Sequence, residues 1–412
     1  MAGTLTLIQH SAERFKAHGL TGSLVEADWP ALTLAEVDAV LRRYPQCGGA
    51  VRVVSVSARP FSAASVVETT RGRVFVKRHS RAVRDCAGLL EEHRFLEYLA
   101  GRTFLVRAAL KDGDGESAVG GVDGWTYEVH PVTDGLDVYE DALSWTPFLC
   151  VEHARAAGRA LGELHRAAEG FDAARRKTQP LVASFAILGG ELAGAGLAEE
   201  PVARMEAYLA DRPLLREYAE ARQWRRSFGE VLLPLYAKLE PWLGGLTPLW
   251  TQNDFHASNL TWSETGPGAG VRSVIDFGLA DRTTAVHDVA TAIERNLVEW
   301  LRVGEADGAG LVRFDQLDAL LAGYEDVRAM SLGERQALVA LLPLVHCEFA
   351  LSETDYFLSV LGSEEKARLG YEGYFLGHAE WFRSEAGRKL LEHLQRWADG
   401  DGENDLVRRG ER

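Results

Sequence analysis

Thr251-Gln-Asn-Asp-Phe-His-Ala-Ser-Asn-Leu260 is followed, after a short polar interval, by Val274-Ile-Asp-Phe-Gly278. The first stretch sets Asp254 and Asn259 five positions apart, and the second ends an apolar run on Asp276. A carboxylate able to accept a proton, an amide oxygen and a second carboxylate suit Mg2+ and a phosphate chain. Magnesium takes hard oxygen ligands, usually only one or two from protein, with phosphate and water completing its octahedron. Leu260-Thr-Trp262 reads as a short strand, residues 263–270 as a turn and Val271-Arg-Ser-Val-Ile275 as the returning strand. That hairpin would hold Asn259 near one end and Asp276 near the other.

Upstream of this stretch the pattern predicts a small sheet. Val51-Arg-Val-Val-Ser-Val-Ser alternates and is β-branched, Ser65-Val-Val-Glu-Thr-Thr is a second strand, Arg71-Gly72 a turn and Arg73-Val-Phe-Val-Lys77 a third strand. The loop between the first two is Arg59-Pro-Phe-Ser-Ala-Ala64. Lys77 closes an apolar strand in a chain with only seven lysines. A helix from Arg84 to Leu99 follows, with Leu89, Leu90, Leu96 and Leu99 on one face and Glu91, Glu92 and Glu97 among them. Leu96, one turn beyond Glu92, would anchor the same side of this helix, which favours Glu92 over Glu91 as an inward carboxylate. Leu105-Val-Arg-Ala-Ala-Leu110 and Trp125-Thr-Tyr-Glu-Val-His130 read as two more strands, the second stopped by Pro131.

On either side of this sheet the chain reads as helical. Thr33-Leu-Ala-Glu36 is a capping box that opens a helix carrying Val37, Val40, Leu41 and Tyr44. Beyond the sheet, Thr146-Pro147 predicts a helix start running to His165, and residues 172–248 are helix-rich but irregular. His287-Asp-Val-Ala290 opens a further helix, with Asp288 placed as an N-cap or as a brace for the catalytic stretch. The expected organisation is therefore a helical extension over residues 1–48, a nucleotide-binding lobe over 49–130 and a helical catalytic and substrate lobe over 131–412.

Composition narrows the classes. An apolar fraction of 46% is that of a folded protein. A formal net charge of -15 argues against a nucleic-acid partner, since phosphate backbones demand a basic footprint. Cys47, Cys86, Cys150 and Cys347 are far apart and without metal-ligand spacing, which fits a reducing, cytoplasmic setting. The first ten residues lack the basic start and apolar core of a secretory leader. No continuous apolar run of membrane-spanning length is seen, so no membrane association is expected.

With these parts in order, the chain resembles the aminoglycoside phosphotransferase and choline kinase-like family, the small-molecule branch of the protein-kinase-like fold. The resemblance rests on Asn253-Asp-Phe-His-Ala-Ser-Asn259, Val274-Ile-Asp-Phe-Gly278 and Asp288-Val-Ala290, supported by Val74-Phe-Val-Lys77, Glu92 and Gly162-Glu-Leu-His165. It implies an α+β fold of two lobes, a small antiparallel sheet and a large helical part. It implies an ATP-dependent phosphotransferase acting on a hydroxyl of a small molecule, with ATP and Mg2+. Asp254 would be the base, Asn259 and Asp276 the metal ligands, and Lys77 the contact to nucleotide phosphates with Glu92 as its ion-pair partner. Glu128, Val129 and His130 would form the hinge against adenine. Two departures stand out: Asn253 replaces the family's usual glycine, and the loop over the phosphates, residues 59–64, has no glycine, leaving Ser62 and nearby amides for that work. His165 and His256 read as hydrogen-bonded structural histidines.

Glu294, Glu299, Glu348, Glu353 and Asp355 could pair with amines, which points to an aminoglycoside, an amino sugar or an amino alcohol as acceptor. The glycine-free loop also admits a non-catalytic nucleotide-binding or scaffold protein of the same fold. A protein substrate is disfavoured, because Asp288 follows Gly278 too closely for a peptide-docking segment.

Overall fold

The β-branched strands form an antiparallel sheet in the order β1-β2-β3-β5-β4, from β1 (Ala50–Val56), β2 (Ala63–Thr69), β3 (Gly72–Ser80), β4 (Ala118–Gly120) and β5 (Trp125–Pro131). The computed structural model describes residues 27–57, 61–121, 124–140, 142, 144–190, 200–303 and 310–400. Its sheet register sets Lys77 of β3 opposite Glu128 of β5. The capping box forms as expected: Glu36 N donates to Thr33 Oγ1 (3.2 Å) and Thr33 N to Glu36 Oε2 (3.3 Å), opening the Leu34–Leu41 helix. Val37, Val40, Leu41 and Tyr44 pack into one core with Val67, Val74 and Val76. This helix therefore shares its apolar core with the sheet. The part of the expected helical extension before residue 27 lies outside the described residues.

The fourth strand is not where alternation placed it. Residues 105–110 run between two partners: Leu110 N donates to Val129 O (2.8 Å), while Leu105 O accepts from Val274 N (2.8 Å). Bonding that divides between two sheets makes a connector, and the ladder position beside β5 goes to Ala118–Gly120. The Cys86–Ala100 helix, capped by Asp85 on Gly88 N (2.7 Å), buries Phe95 against Trp250 and Phe277, with ring centroids 5.4 and 6.0 Å apart. Its aromatic face thus anchors the small lobe to the large one.

The large lobe is mainly helical. Its first long helix begins at Val151 after Cys150, four residues later than the Thr-Pro signal suggested, and has no side-chain cap. It crosses the Phe314–Glu325 helix at two glycines. A Cβ at Gly158 would stand 2.0 Å from Leu320 O, and one at Gly323 2.1 Å from Arg155 O, so neither position admits a larger residue. Two small antiparallel pairs, β6 (Pro248–Thr251) with β9 (Asp281–Thr284) and β7 (Leu260–Trp262) with β8 (Val271–Val274), carry the motif stretch. The second pair is the expected hairpin. The Ala285–Leu297 helix follows β9, capped by Thr284 on His287 N (3.1 Å) and buried throughout.

The Leu332–Ser359 stretch has an apolar window (mean hydropathy 1.4), yet 94% of it is buried inside the protein. It is core of this lobe, and the apolarity is distributed over successive helices.

The lobes also meet at the tip of the β1–β2 hairpin. Phe61 packs edge-on to Tyr356 (centroids 5.4 Å apart) and beside Phe357, both on the Cys347–Ser359 helix. Trp29 Nε1 donates to Phe61 O (3.1 Å), and Asp28 accepts from Tyr356 Oη (2.9 Å) and Lys366 Nζ (2.5 Å).

Candidate active site

Local hydrogen bonding holds the 251–260 stretch in an open turn. Asp288 accepts from Gln252 N (3.1 Å) and Asn253 N (2.9 Å), and its Oδ2 also meets His165 Nε2 (3.1 Å). His165 is held in turn by Tyr324 Oη (2.7 Å). Eight residues on, Asn296 accepts from Ala257 N (2.9 Å) and donates to Phe255 O (2.9 Å). One face of the Ala285–Leu297 helix therefore fixes the loop at both ends, and Asp288 is the brace the sequence allowed. Asn253 has φ +61°, in the left-handed region where glycine is at ease and asparagine is the best tolerated substitute. This accounts for the departure at that position.

The three motif residues converge. Asn259 Nδ2 donates to Asp254 O (3.0 Å) and to Asp254 Oδ2 (3.1 Å), which leaves the amide oxygen of Asn259 available elsewhere. Ile275 N donates to Asn259 O (2.9 Å), tying the residue before Asp276 to the loop. Gln252 completes the link: its Oε1 accepts from Asp254 N (2.8 Å), and its Nε2 donates to Ile275 O (3.2 Å) and Asp276 O (2.7 Å). Asp276 has φ +55°, a conformation that non-glycine residues adopt rarely and that concentrates at functional sites. Two buried arginines hold the turn behind it, since Arg84 Nη2 and Arg176 Nη1 each donate to Gly278 O (3.0 Å).

Lys77 reaches this turn from β3. Its Nζ lies 3.1 Å from Asp276 Oδ1. Burial would discharge the lysine, but Asp276, Glu128 and Glu92 outweigh it and raise its pKa, so Lys77 is a fixed cation. The expected Lys77–Glu92 ion pair is not formed. Glu92 faces Arg176 instead (3.5 Å), and Glu91, the runner-up, accepts from Lys177 N (3.0 Å) and Thr178 N (3.3 Å). The physical reason is competition: a buried guanidinium from the 171–190 segment occupies the helix carboxylates, leaving Lys77 to the Asp276 side.

The hinge reading is also modified. Glu128 is paired on both sides, with Lys77 and Ala118, and Val129 O already accepts from Leu110 N. The Glu128 side chain is a hub for His79, His93 and His130, each 2.8 Å away at Nε2. Burial alone would raise its pKa, but His130, His79 and His93 hold it well below the usual carboxylate range. His130 lies near the end of β5, opposite Phe75. Ser62 is buried at the start of β2, beside the hairpin tip, while Arg59 and Pro60 lie outside the described residues.

Asp254 is flanked by His256 Nε2 (3.5 Å from Oδ2) and Arg295 Nη2 (3.4 Å from Oδ1). Burial works against its charge, but His256 and Arg295 prevail and the pKa is lowered, so the carboxylate is ionised and able to receive a proton. Of the acidic residues named as amine partners, Glu348 is spent on the N–H groups of Ala186, Ile187 and Leu188, and Glu299 on Arg302 and Arg313. Asp355 stands 3.7 Å from Arg212. Glu353 is different: it is buried, and its Oε2 has no hydrogen-bond partner. Burial raises it to about 8 against the pull of Arg295, with Asp28 and Asp254 adding to the rise. Glu294 is likewise buried and pushed up to about 7.

Sequence reasoning missed Gln252, Arg84, Arg176 and Arg295. Gln252 stood inside the quoted motif. Arg295 and Glu294 were visible as adjacent charges on the helix that carries Asp288, and the two other arginines gave no signal.

A model of the phosphotransferase enzyme family (APH) matches residues 58–330. A homoserine kinase of Phenylobacterium zucineum (strain HLK1) is 32% identical over 192 residues, 46% of this chain and 48% of that protein. The chain thus spans about half the length of that curated relative. Among solved structures, a microcompartment-associated aminopropanol kinase aligns with a TM-score of 0.53 at 18% identity, covering 86% of this chain and 99% of its own. An amicoumacin kinase in complex with AMP-PNP, Ca2+ and Ami aligns with a TM-score of 0.50 at 13% identity, over 82% and 94%. Both likenesses concern the protein-kinase-like, two-lobed α+β fold. The family match covers more than half of the chain and includes Lys77, Asp254, Asn259, Asp276 and Asp288, and the chain belongs to the phosphotransferase enzyme family.

Proposed function

We propose that this protein transfers the γ-phosphoryl group of ATP to a hydroxyl of a small molecule that also carries an amine. The observation that carries the reading is the convergence of Asp254, Asn259, Asp276 and Lys77 on the turn between the lobes. Phosphoryl transfer has a loose transition state, so positioning and charge neutralisation do most of the work. Asp254 orients the acceptor hydroxyl and takes its proton, and Arg295 and His256 keep it ionised for that task. Lys77 holds nucleotide phosphate, and Asp276 keeps Lys77 in place. Asn259 and Asp276 present the hard oxygen donors that suit Mg2+, which when bound neutralises phosphate charge. Ser62 and the backbone near His130 are the contacts proposed for phosphate and adenine.

The amine rests on Glu353. A buried carboxyl group whose Oε2 has no hydrogen-bond partner, in the same electrostatic neighbourhood as Asp254, matches an ammonium group on the acceptor. The test is a panel of amino alcohols, amino sugars, hydroxy amino acids and aminoglycosides incubated with ATP and Mg2+. A mass gain of one phosphate on an amine-bearing compound, lost in Asp254→Ala, is the expected result. Phosphorylation confined to amine-free alcohols would overturn the acceptor class, and no transfer to any compound would overturn the activity.

A further inference from the structure

A buried polar cluster of the large lobe lies beside Arg295. Glu294 projects from the Ala285–Leu297 helix, His346 precedes the Cys347–Ser359 helix, and His378 opens the His378–Trp381 helix. All three side chains are buried, and one ligand-type atom from each lies within 4.8 Å of the others. Glu294 Oε1 stands 3.0 Å from His378 Nδ1, and Glu294 Oε2 stands 3.7 Å from His346 Nδ1. Zinc bonds imidazole nitrogen and carboxylate oxygen at about 2.0–2.2 Å, so two ligands on one tetrahedral ion are separated by roughly 3.3–3.5 Å. The two observed separations bracket that edge. Glu294 Oε2 also accepts no hydrogen bond, although it is fully enclosed.

The surroundings are those of a prepared ligand set. Trp145 Nε1 donates to Glu294 Oε1 (3.1 Å), orienting the carboxylate as an outer partner does in metal sites. Trp300 stacks on His378 with centroids 3.8 Å apart and planes 2° from parallel, and its Nε1 donates to the backbone oxygen of Glu294 (3.0 Å). The His378 ring is thereby fixed relative to Glu294. The nearest cation, Arg295, is shared: Nη2 turns to Asp254 (3.4 Å) and Nε lies 3.7 Å from Glu294 Oε2. Glu294 and Asp254 thus divide one guanidinium, which leaves the buried Glu294 without a full counter-charge of its own.

We infer that Glu294, His346 and His378 form a binding site for one first-row divalent metal ion of the zinc type, separate from the magnesium-nucleotide centre. Imidazole and carboxylate together favour such an ion over Mg2+. Bound there, it ties three chain segments beneath Arg295, and its role is structural. This inference stands independently of the acceptor proposed above.

The test uses the full chain purified without a polyhistidine tag. Mn, Fe, Co, Ni, Cu and Zn are measured by elemental mass spectrometry, and the expected content is about one ion per chain. His346→Ala, His378→Ala and Glu294→Gln should lose it, whereas His393→Ala, which alters the surface pair with Asp318, should keep it. A second measurement guards against misfolded variants. The wild-type chain is stripped with a chelator, and its melting temperature is followed while Zn2+ is added. A rise that saturates near one equivalent supports the site even where the ion is lost during purification. Wild-type protein with no metal and no rise in melting temperature overturns the inference. Metal retained by folded His346→Ala and His378→Ala overturns the assigned ligands.

Discussion

Lys77 Nζ stands 3.1 Å from Asp276 Oδ1, a contact that spans 199 residues of sequence and joins β3 to the Asp-Phe-Gly turn. It takes the place of the strand–helix ion pair expected from the sequence, because Arg176 claims Glu92. Lys77→Met should therefore lower kcat/KM for ATP by about 100-fold, the scale for losing one positioned donor to developing charge. Glu92→Gln should change it far less. Steady-state kinetics with varied ATP checks both, and equal losses in the two variants would refute the assignment.

Asp254 is the group proposed to receive the acceptor proton. Asp254→Asn keeps the size of the side chain and removes its basicity, so kcat should fall by about a thousandfold. Nucleotide affinity, read by calorimetry with a non-hydrolysable ATP analogue, should hardly move. A variant that turns over normally would remove Asp254 from the mechanism.

Asp288 bonds two backbone amides of the 251–260 loop, those of Gln252 and Asn253. Asp288→Ala leaves both N–H groups and His165 without their acceptor. Hydrogen bonds to a charged group contribute about 1.5–3 kcal/mol each, and a stability loss of about 3 kcal/mol is expected. Urea unfolding measures it.

Asn253 at φ +61° gives a paired prediction. Asn253→Gly removes side-chain hydrogen bonds to Thr251 and Thr283 but relieves the backbone, so the variant should fold. Asn253→Val adds a branched Cβ to a left-handed residue, which costs about 1–2 kcal/mol beyond the same lost bonds. A thermal melt in which valine matched glycine would contradict this.

His287 sets an acid limit on stability. Burial lowers its pKa from 6.5 to about 4, against the opposing pull of Asp288 and Glu348. Above pH 6.5 the imidazole is neutral in both states and contributes no pH dependence. As pH falls from 6.5 toward 4 the unfolded chain takes up a proton that the folded chain refuses, so stability declines across that window, by about 3 kcal/mol in all. His287→Phe should flatten the slope of urea stability between pH 6.5 and 4.5. An unchanged slope would show that other groups dominate the acid limb.

Much of this was legible in residue order. The capping box at Thr33, the strand that ends on Lys77, the hairpin from Leu260 and the brace at Asp288 are local patterns, and local patterns survive folding. What stayed hidden depended on distant partners. Residues 105–110 alternate like a strand, but their hydrogen bonds divide between Val129 and Val274. Glu92 looked inward as expected, yet an arginine 84 positions later decides what it meets. Glu294, His346 and His378 come from three helical segments with no shared spacing, so no sequence period marks them. The glycine-free loop has no signal for its neighbour either, because Phe61 finds Tyr356 only once the lobes are in place.

That last contact has a kinetic meaning. Phe61 sits at the tip of the hairpin, and Tyr356 lies on the helix that also carries Glu353. In the proposed reaction cycle, any separation of the lobes to exchange nucleotide would pull the ring of Phe61 off Tyr356. Asp28, which grips Tyr356 and Lys366, stands next to Trp29, which holds the backbone of Phe61, so the strain passes through neighbouring residues. Under the proposed function, the release of ADP would thereby be mechanically joined to the helix that carries Glu353.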